Sequence, residues 1–298
     1  MTGPPDDGLN GDEFDDVTSV RLIRVTVDAD AADLVSDRFW QAGVRGVTET
    51  DLPDGRVEVA SSVGNDQDAI DRTIATFGPT WTWRVDEVDA APGDSWKQYA
   101  RPFWFRPDAV VDPAWIDLDE VDGIERARSV TVVEPGSTFG LGDHPTTRSS
   151  AALLVDELDR RADPPAASLL DVGCGTGVLA VLAAQAGVER VRAIDVALAA
   201  VGATQDNARL NGVDGTIEVD DTPVDDIDET FDIVVANILA PVLVSLADDL
   251  RRVTDHGGTL IVSGMLARRH DHVLRALEPM QPVDELVDDG WITVALRH

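Results

Sequence analysis

Apolar residues recur along this chain in two rhythms, and the change between them divides it. From residue 168 onward, short and nearly continuous β-branched runs alternate with segments of helical spacing. Strands are predicted at 168–172, 190–196, 216–220, 231–238 and 259–263, and helices at 177–187, 197–211, 241–253 and 268–277. Runs without a polar face are those of parallel strands covered on both sides, so this part is α/β. Two last runs, 282–287 and 291–296, are joined by Asp288-Asp289-Gly290 and read as a terminal antiparallel hairpin.

The first third has another order. Residues 20–27 alternate as a strand, and 31–42 carry Leu34, Val35, Phe39 and Ala42 at helical spacing before Gly43. Strands at 44–50 and at Arg56–Ser61 flank the turn at Pro53-Asp54-Gly55. A second helix, 66–77, ends at Gly78-Pro79, and 81–88 is a fourth strand. The order β-α-β-β-α-β is that of a ferredoxin-like sandwich, spanning 20–90. It carries no chemistry of its own, so it binds a partner or buttresses its neighbour. Residues 1–19 are an acidic Gly/Pro/Asp tail expected to be disordered. Residues 91–113 are expected to be a linker, with an aromatic run (Trp96, Tyr99, Phe103, Trp104, Phe105) among Lys97, Arg101 and Arg106 as interdomain core or substrate wall. The catalytic domain is expected over 114–298. Its first strands are placed at 114–118 and Ser129–Val133, followed by a shaped loop, Glu134 to Thr147, and a helix at 148–158 that Thr147 caps.

Composition narrows the function. The formal net charge is −32, from 56 acidic against 24 basic residues, and Lys97 is the single lysine. Such a surface repels phosphate and excludes direct nucleic-acid binding by charge. It suits a halophilic setting, because at molar salt the Debye length shrinks to about 3 Å and self-repulsion is screened. One cysteine, Cys174, rules out an internal disulfide. No apolar run reaches membrane-spanning length and no signal segment opens the chain, so a cytoplasmic monomer with no membrane partner is expected.

The densest chemistry lies in Asp171-Val-Gly-Cys-Gly-Thr-Gly177, where a buried strand turns through Gly173, Gly175 and Gly177 into a helix. Glycines there admit positive φ and the close approach of a ligand. Dinucleotide sites use G-x-G-x-x-G; here the spacing is G-x-G-x-G, with Val178 in the sixth position and an acid two residues before the first glycine. Both a methyl donor and a dinucleotide remain open on this turn alone. Asp195 ends the second strand, 22 positions after Gly173, where a carboxylate can accept from both hydroxyls of a ribose or cap the next helix. Asn237 ends the fourth strand, where its carbonyl can orient an incoming amine. Strand ends are where open α/β sheets bind ligands.

Taken together, Phe139-Gly-Leu-Gly-Asp-His-Pro-Thr-Thr147, the glycine run and Ala236-Asn-Ile-Leu-Ala240 resemble the signatures of the class I ribosomal-protein methyltransferases. That family modifies large-subunit ribosomal protein eleven. The likeness covers roughly 95–298; Leu141 and Asp143 stand where the family commonly has threonines, and Glu134 where it has aspartate. It implies a Rossmann-like sheet with an antiparallel C-terminal hairpin, S-adenosyl-L-methionine as cofactor, and trimethylation of lysine and N-terminal amines of a ribosomal protein substrate. It also implies that the small N-terminal domain recognises that substrate. Thr147, Gly173, Asp195 and Asn237 would contact the cofactor, with Asp171, Gly175, Gly177, Phe139 and Gly140 around them. Asn237 and Phe139 would line the amine channel, making Asn237 the catalytic candidate. No metal is expected, since on a helix His270 and His272 face different ways.

Overall fold

The computed structural model describes residues 19–42, 44, 47–89, 101–134, 144–161 and 167–298. Most of the expected tail, residues 1–18, lies outside them, and Ser19 already opens the first strand.

The first unit runs β1 (Ser19–Asp28), α1 (Ala32–Gln41), β2 (Thr48–Asp51), β3 (Arg56–Ser61), α2 (Gln67–Ile74) and β4 (Thr82–Asp89). Its strands form one antiparallel sheet in the order β2-β3-β1-β4. Alternation sets the faces. Ile23, Val25, Val27, Val57 and Val59 are buried with Val35 and Phe39 of α1 and Ile70 of α2. On the other face Arg24 and Arg84 share Glu58 and Asp86 in a four-membered ion-pair network. α2 begins where the Asp66 carboxylate accepts the Ala69 N–H, a side-chain cap.

Three strands follow: β5 (Phe103–Arg106), β6 (Ala109–Pro113) and β7 (Ser129–Val133). β5 pairs with β6 antiparallel, and β6 with β7 parallel. Two expectations are corrected here. The second half of the 91–113 stretch is sheet, not linker, because Val110 and Val111 are fully buried and Phe103 and Phe105 pack on the main core. The strand placed at 114–118 lies upstream, at β6, and the chain turns at Pro113, whose carbonyl accepts the Ile116 N–H. A domain boundary between 113 and 114 would therefore separate two paired strands.

The main layer contains α3 (Pro145–Arg160), β8 (Ser168–Val172), α4 (Val178–Gln185), β9 (Arg190–Ile194), α5 (Leu198–Leu210), β10 (Ile217–Asp220) and β11 (Phe231–Asn237). It continues with α6 (Ala240–Ser245), α7 (Ala247–Val253), β12 (Thr254–Leu266), α8 (Asp271–Ala276), β13 (Gln281–Asp288) and β14 (Trp291–Arg297). The helix expected over 241–253 is two helices meeting at Leu246. Strand order is β10-β9-β8-β11-β12-β14-β13, parallel from β10 to β12 and antiparallel from there to β13. Helices cover both faces of the central strands, and all five residues of β8 are buried, whereas the edge strands β10 and β13 carry exposed polar residues.

α3 is fixed to this sheet by Glu157, which is 1% exposed and meets Arg161, Arg297 and the Thr259 hydroxyl. Burial pushes its carboxyl up, but Arg161, Thr259 and Arg297 outweigh burial and hold it below the usual carboxylate range. At the other end of α3, Arg148 pairs with Asp288 beside the β13–β14 turn at 2.7 Å. Among the described residues no helix is long and apolar enough to cross a membrane.

Candidate active site

The strand order reverses between β8 and β11, and the candidate residues collect at the carboxyl ends of β8, β9 and β11. The glycine turn is bonded to itself and to its neighbours. The Gly173 and Cys174 N–H groups both donate to the Ile194 carbonyl, at 2.8 and 3.0 Å, and Gly177 donates to Cys174 at 2.7 Å. Gly173 has φ +75°, and a Cβ there would lie 2.3 Å from Cγ2 of Ile238, so only glycine fits. The fourth donor, Gly175, gives its N–H to Asp195 Oδ2 at 3.0 Å.

Asp171 is buried beneath the turn, 1% exposed. Helix α4 starts just after Gly177, which has no side chain to cap it, and the Ala180 backbone N–H favours the charged form of Asp171. Burial pushes its pKa up to about 7, with Asp195 adding to the rise and the Ala180 bond opposing it. Its Oδ2 has no hydrogen-bond partner among the described residues. Cys174 is buried too, and burial pushes its thiol well above the ordinary range.

Asp195 serves two backbones, taking Ala197 N–H on Oδ1 at 2.9 Å as well as Gly175 on Oδ2. The cap reading of Asp195 thus becomes a turn just before α5, which has no side-chain cap. Next to it Val196 and Leu198 are 89% and 71% exposed, two apolar side chains beside a carboxylate. Sequence reasoning missed both. The apolar spacing places Val196 at the end of a strand, yet β9 stops at Ile194.

Asn237 and Thr147, 90 residues apart, come together: Asn237 Nδ2 donates to Thr147 Oγ1 at 3.5 Å. Thr147 is not the cap of its helix. α3 begins earlier, at Pro145, whose locked φ and missing N–H suit the first helical position, and His144 is the N-cap. His144 Nδ1 accepts the Thr146 N–H at 3.3 Å and sits 2.8 Å from the Thr146 hydroxyl, while its ring meets Trp291 edge-on at 5.2 Å. Phe139, Gly140, Leu141 and Asp143 lie outside the described residues, as does Lys97.

Three amides that sequence reasoning overlooked hold this end of the molecule. Asn207 of α5, Asn211 at its C-cap and Gln185 of α4 bond the backbone of β7 and of Glu134, which follows it. Among the described residues no three His, Cys, Asp or Glu side chains group as a metal site, and His270 spends Nδ1 on the Ala267 carbonyl.

Comparison with known proteins gives a consistent result. A family model described as ribosomal protein L11 methyltransferase (PrmA) matches residues 56–298. The chain is 34% identical over 295 residues to the ribosomal protein L11 methyltransferase of Methylococcus capsulatus, covering 92% of this chain and 97% of that one. It is 30% identical over 296 residues to that of Acetivibrio thermocellus, covering 97% and 90%. Among solved structures, the ribosomal protein L11 methylase of Lactobacillus delbrueckii subsp. bulgaricus superposes with a TM-score of 0.59 at 28% identity, covering 67% of this chain and all of that one.

Proposed function

The chain belongs to the ribosomal protein L11 methyltransferase family, and from that premise we propose that it transfers methyl groups from S-adenosylmethionine to lysine and N-terminal amines of ribosomal protein L11. The observation that carries the reading is the Asn237–Thr147 contact, which joins two motifs at the mouth of the sheet.

The residues present fit the cofactor better than a dinucleotide. Four N–H groups of the turn are spent inside the protein, and a carboxylate, Asp195, lies where a phosphate would need donors. Each Asp195 oxygen keeps a lone pair for a ribose hydroxyl. Val196 and Leu198 offer an adenine ring an apolar bed. The buried Oδ2 of Asp171, without a partner among the described residues, favours a cationic ligand above it. When bound, S-adenosylmethionine supplies a methyl carbon activated by its sulfonium for in-line attack.

What remains for the chain is alignment and proton state. Positioning of this kind is worth up to about 7–11 kcal/mol. Because Asn237 Nδ2 is turned to Thr147, its Oδ1 is left to accept from an incoming amine. The attacking amine must be neutral, although a free lysine titrates near ~10.4. Thr146 and Thr147, 2% and 1% exposed, form a desolvated wall that lowers this value. We read the N-terminal unit as a ferredoxin-like domain that recognises the substrate protein. The reaction is placed in the cytoplasm, where ribosomal proteins are made, and the enzyme is taken to act as a monomer.

The test uses labelled S-adenosylmethionine, the purified protein in molar KCl, and unmethylated large-subunit proteins. Label is expected in L11, with Asn237→Ala lowering kcat/KM about 100-fold. Label in another protein would keep methyl transfer and move the substrate. Cofactor binding without label in any extract would leave a binding module in place of an enzyme.

A further inference from the structure

Helix α5 and its C-cap present three polar side chains inward along one stripe, Thr204, Asn207 and Asn211. Thr204 donates to the Gly175 carbonyl at 3.1 Å and lies 3.2 Å from Cys174 Sγ, so it holds the glycine turn. Asn211 holds β7: its Oδ1 accepts the Val132 N–H at 2.9 Å and its Nδ2 donates to the Val132 carbonyl at 2.7 Å. Asn207 does both. Its Oδ1 accepts the Glu134 N–H at 2.9 Å, and its Nδ2 donates to the Glu134 carbonyl at 3.0 Å and to the Thr176 carbonyl at 2.9 Å. It is fully buried.

The geometry explains why asparagines four apart suit this place. β7 is the edge of its sheet, so the N–H and C=O of alternate residues point outward unpaired by any strand. Two residues of strand advance about 6.6 Å, and four of helix about 6.0 Å, so a helix laid antiparallel along the edge meets Glu134 at i and Val132 at i+4. Each carboxamide then offers one donor and one acceptor, as a neighbouring strand residue would. Gln185 extends the row by donating to the Val130 carbonyl at 3.0 Å.

We propose that Asn207 is a positioning residue for the cofactor, fixing the Thr176 carbonyl, and with it the glycine turn, to the backbone end of β7. This rests on the methyltransferase reading of the site. Asn211 is the internal control, because it makes the same pair of bonds to β7 without touching the turn.

The experiment compares Asn207→Ala and Asn211→Ala in the full chain by three measurements: Tm, hydrogen exchange of the apo glycine turn, and calorimetric affinity for S-adenosylmethionine. Both variants are expected to lose Tm. Only Asn207→Ala is expected to speed exchange at residues 173–177 and raise Kd, each by about tenfold, with Asn211→Ala within about twofold of the parent. If Asn207→Ala does not fold, Asn207→Asp serves, since it keeps the acceptor for Glu134 and loses the two donated bonds. Equal changes in the two variants, or a lower Tm with unchanged exchange and Kd, would overturn the proposal. A parent protein that does not bind S-adenosylmethionine would overturn the functional reading instead, and the exchange contrast would still decide whether Asn207 governs the turn.

Discussion

Asp171 shows how one carboxyl can serve structure and ligand at once. It titrates at the ordinary 3.8 when exposed and at about 7 when folded, because it is buried. Below both values it is neutral in either state. Between them the unfolded chain gives up the proton and the folded chain keeps it, so this group's effect on stability becomes less favourable as pH rises from about 4 to about 7, then levels. Asp171→Asn stays neutral and keeps an acceptor for Ala180. Its Tm relative to the parent is expected to climb across that window and to be flat above it; a constant difference would show that Asp171 does not titrate there. A cationic cofactor above the turn lowers the same pKa, so binding near pH 7 is expected to release a proton, with less release at higher pH, measurable by calorimetry in buffers of different ionisation enthalpy.

Asn237 owes its place to how β11 and β12 leave the sheet. Ile238, the next residue, has its side chain against Gly173 and its carbonyl against Gly264, where a Cβ would come within 2.1 Å. Gly264 has φ +87° and lies where the β12–β14 register shifts between Val262 and Met265, a bulge that lets β12 pass this backbone. Gly264→Ala is expected to cost about 2–3 kcal/mol and to lower kcat with it, since the displaced Ile238 carries Asn237. Gly257→Ala on the same strand meets nothing closer than 3.8 Å and is expected to stay within about 0.5 kcal/mol of the parent. Denaturant unfolding of the two variants separates the bulge from a general intolerance of β12. α3 is a second case of placement by distant partners: Glu157 and Arg148 bind opposite ends of it, which sets Thr147 against Asn237.

With a net charge of −32, the folded chain repels itself, and its ion pairs enlist arginines, as in the Arg24–Glu58–Arg84–Asp86 network. Self-repulsion is screened once the Debye length falls to about 3 Å at molar salt. Tm is therefore expected to rise by roughly 10 °C between about 0.1 M and about 2 M KCl, with most of the rise below 1 M. A Tm unchanged or falling over that range would show that the acidity is unrelated to salt.

Much of this is legible in the sequence. Arg56–Ser61, Ser129–Val133 and Ser168–Val172 end where their apolar spacing and flanking turn residues end, because short-range sterics and burial on one or both faces are written locally. The glycine turn, Asp195 and Asn237 were legible for the same reason, each lying at a strand end next to a turn. Other features depend on contacts that no local window contains. Within 91–113 the aromatic run was legible as core or wall, and Phe103 and Phe105 do pack on the core, but the strands were not, because β6 is held by β7, which lies outside that stretch. The start of α3 at Pro145 needed the proline's fixed φ and the His144 cap together. Asn207, Asn211 and Gln185 looked like ordinary helix residues, since a carboxamide acquires its role only when a sheet edge is laid beside it. Local spacing thus decided most of the strands and helices and the glycine turn, while the meeting of Thr147 with Asn237, and of Asn207 with both Glu134 and Thr176, came from tertiary packing, because hydrogen bonds across 30 to 90 residues are chosen by the fold as a whole.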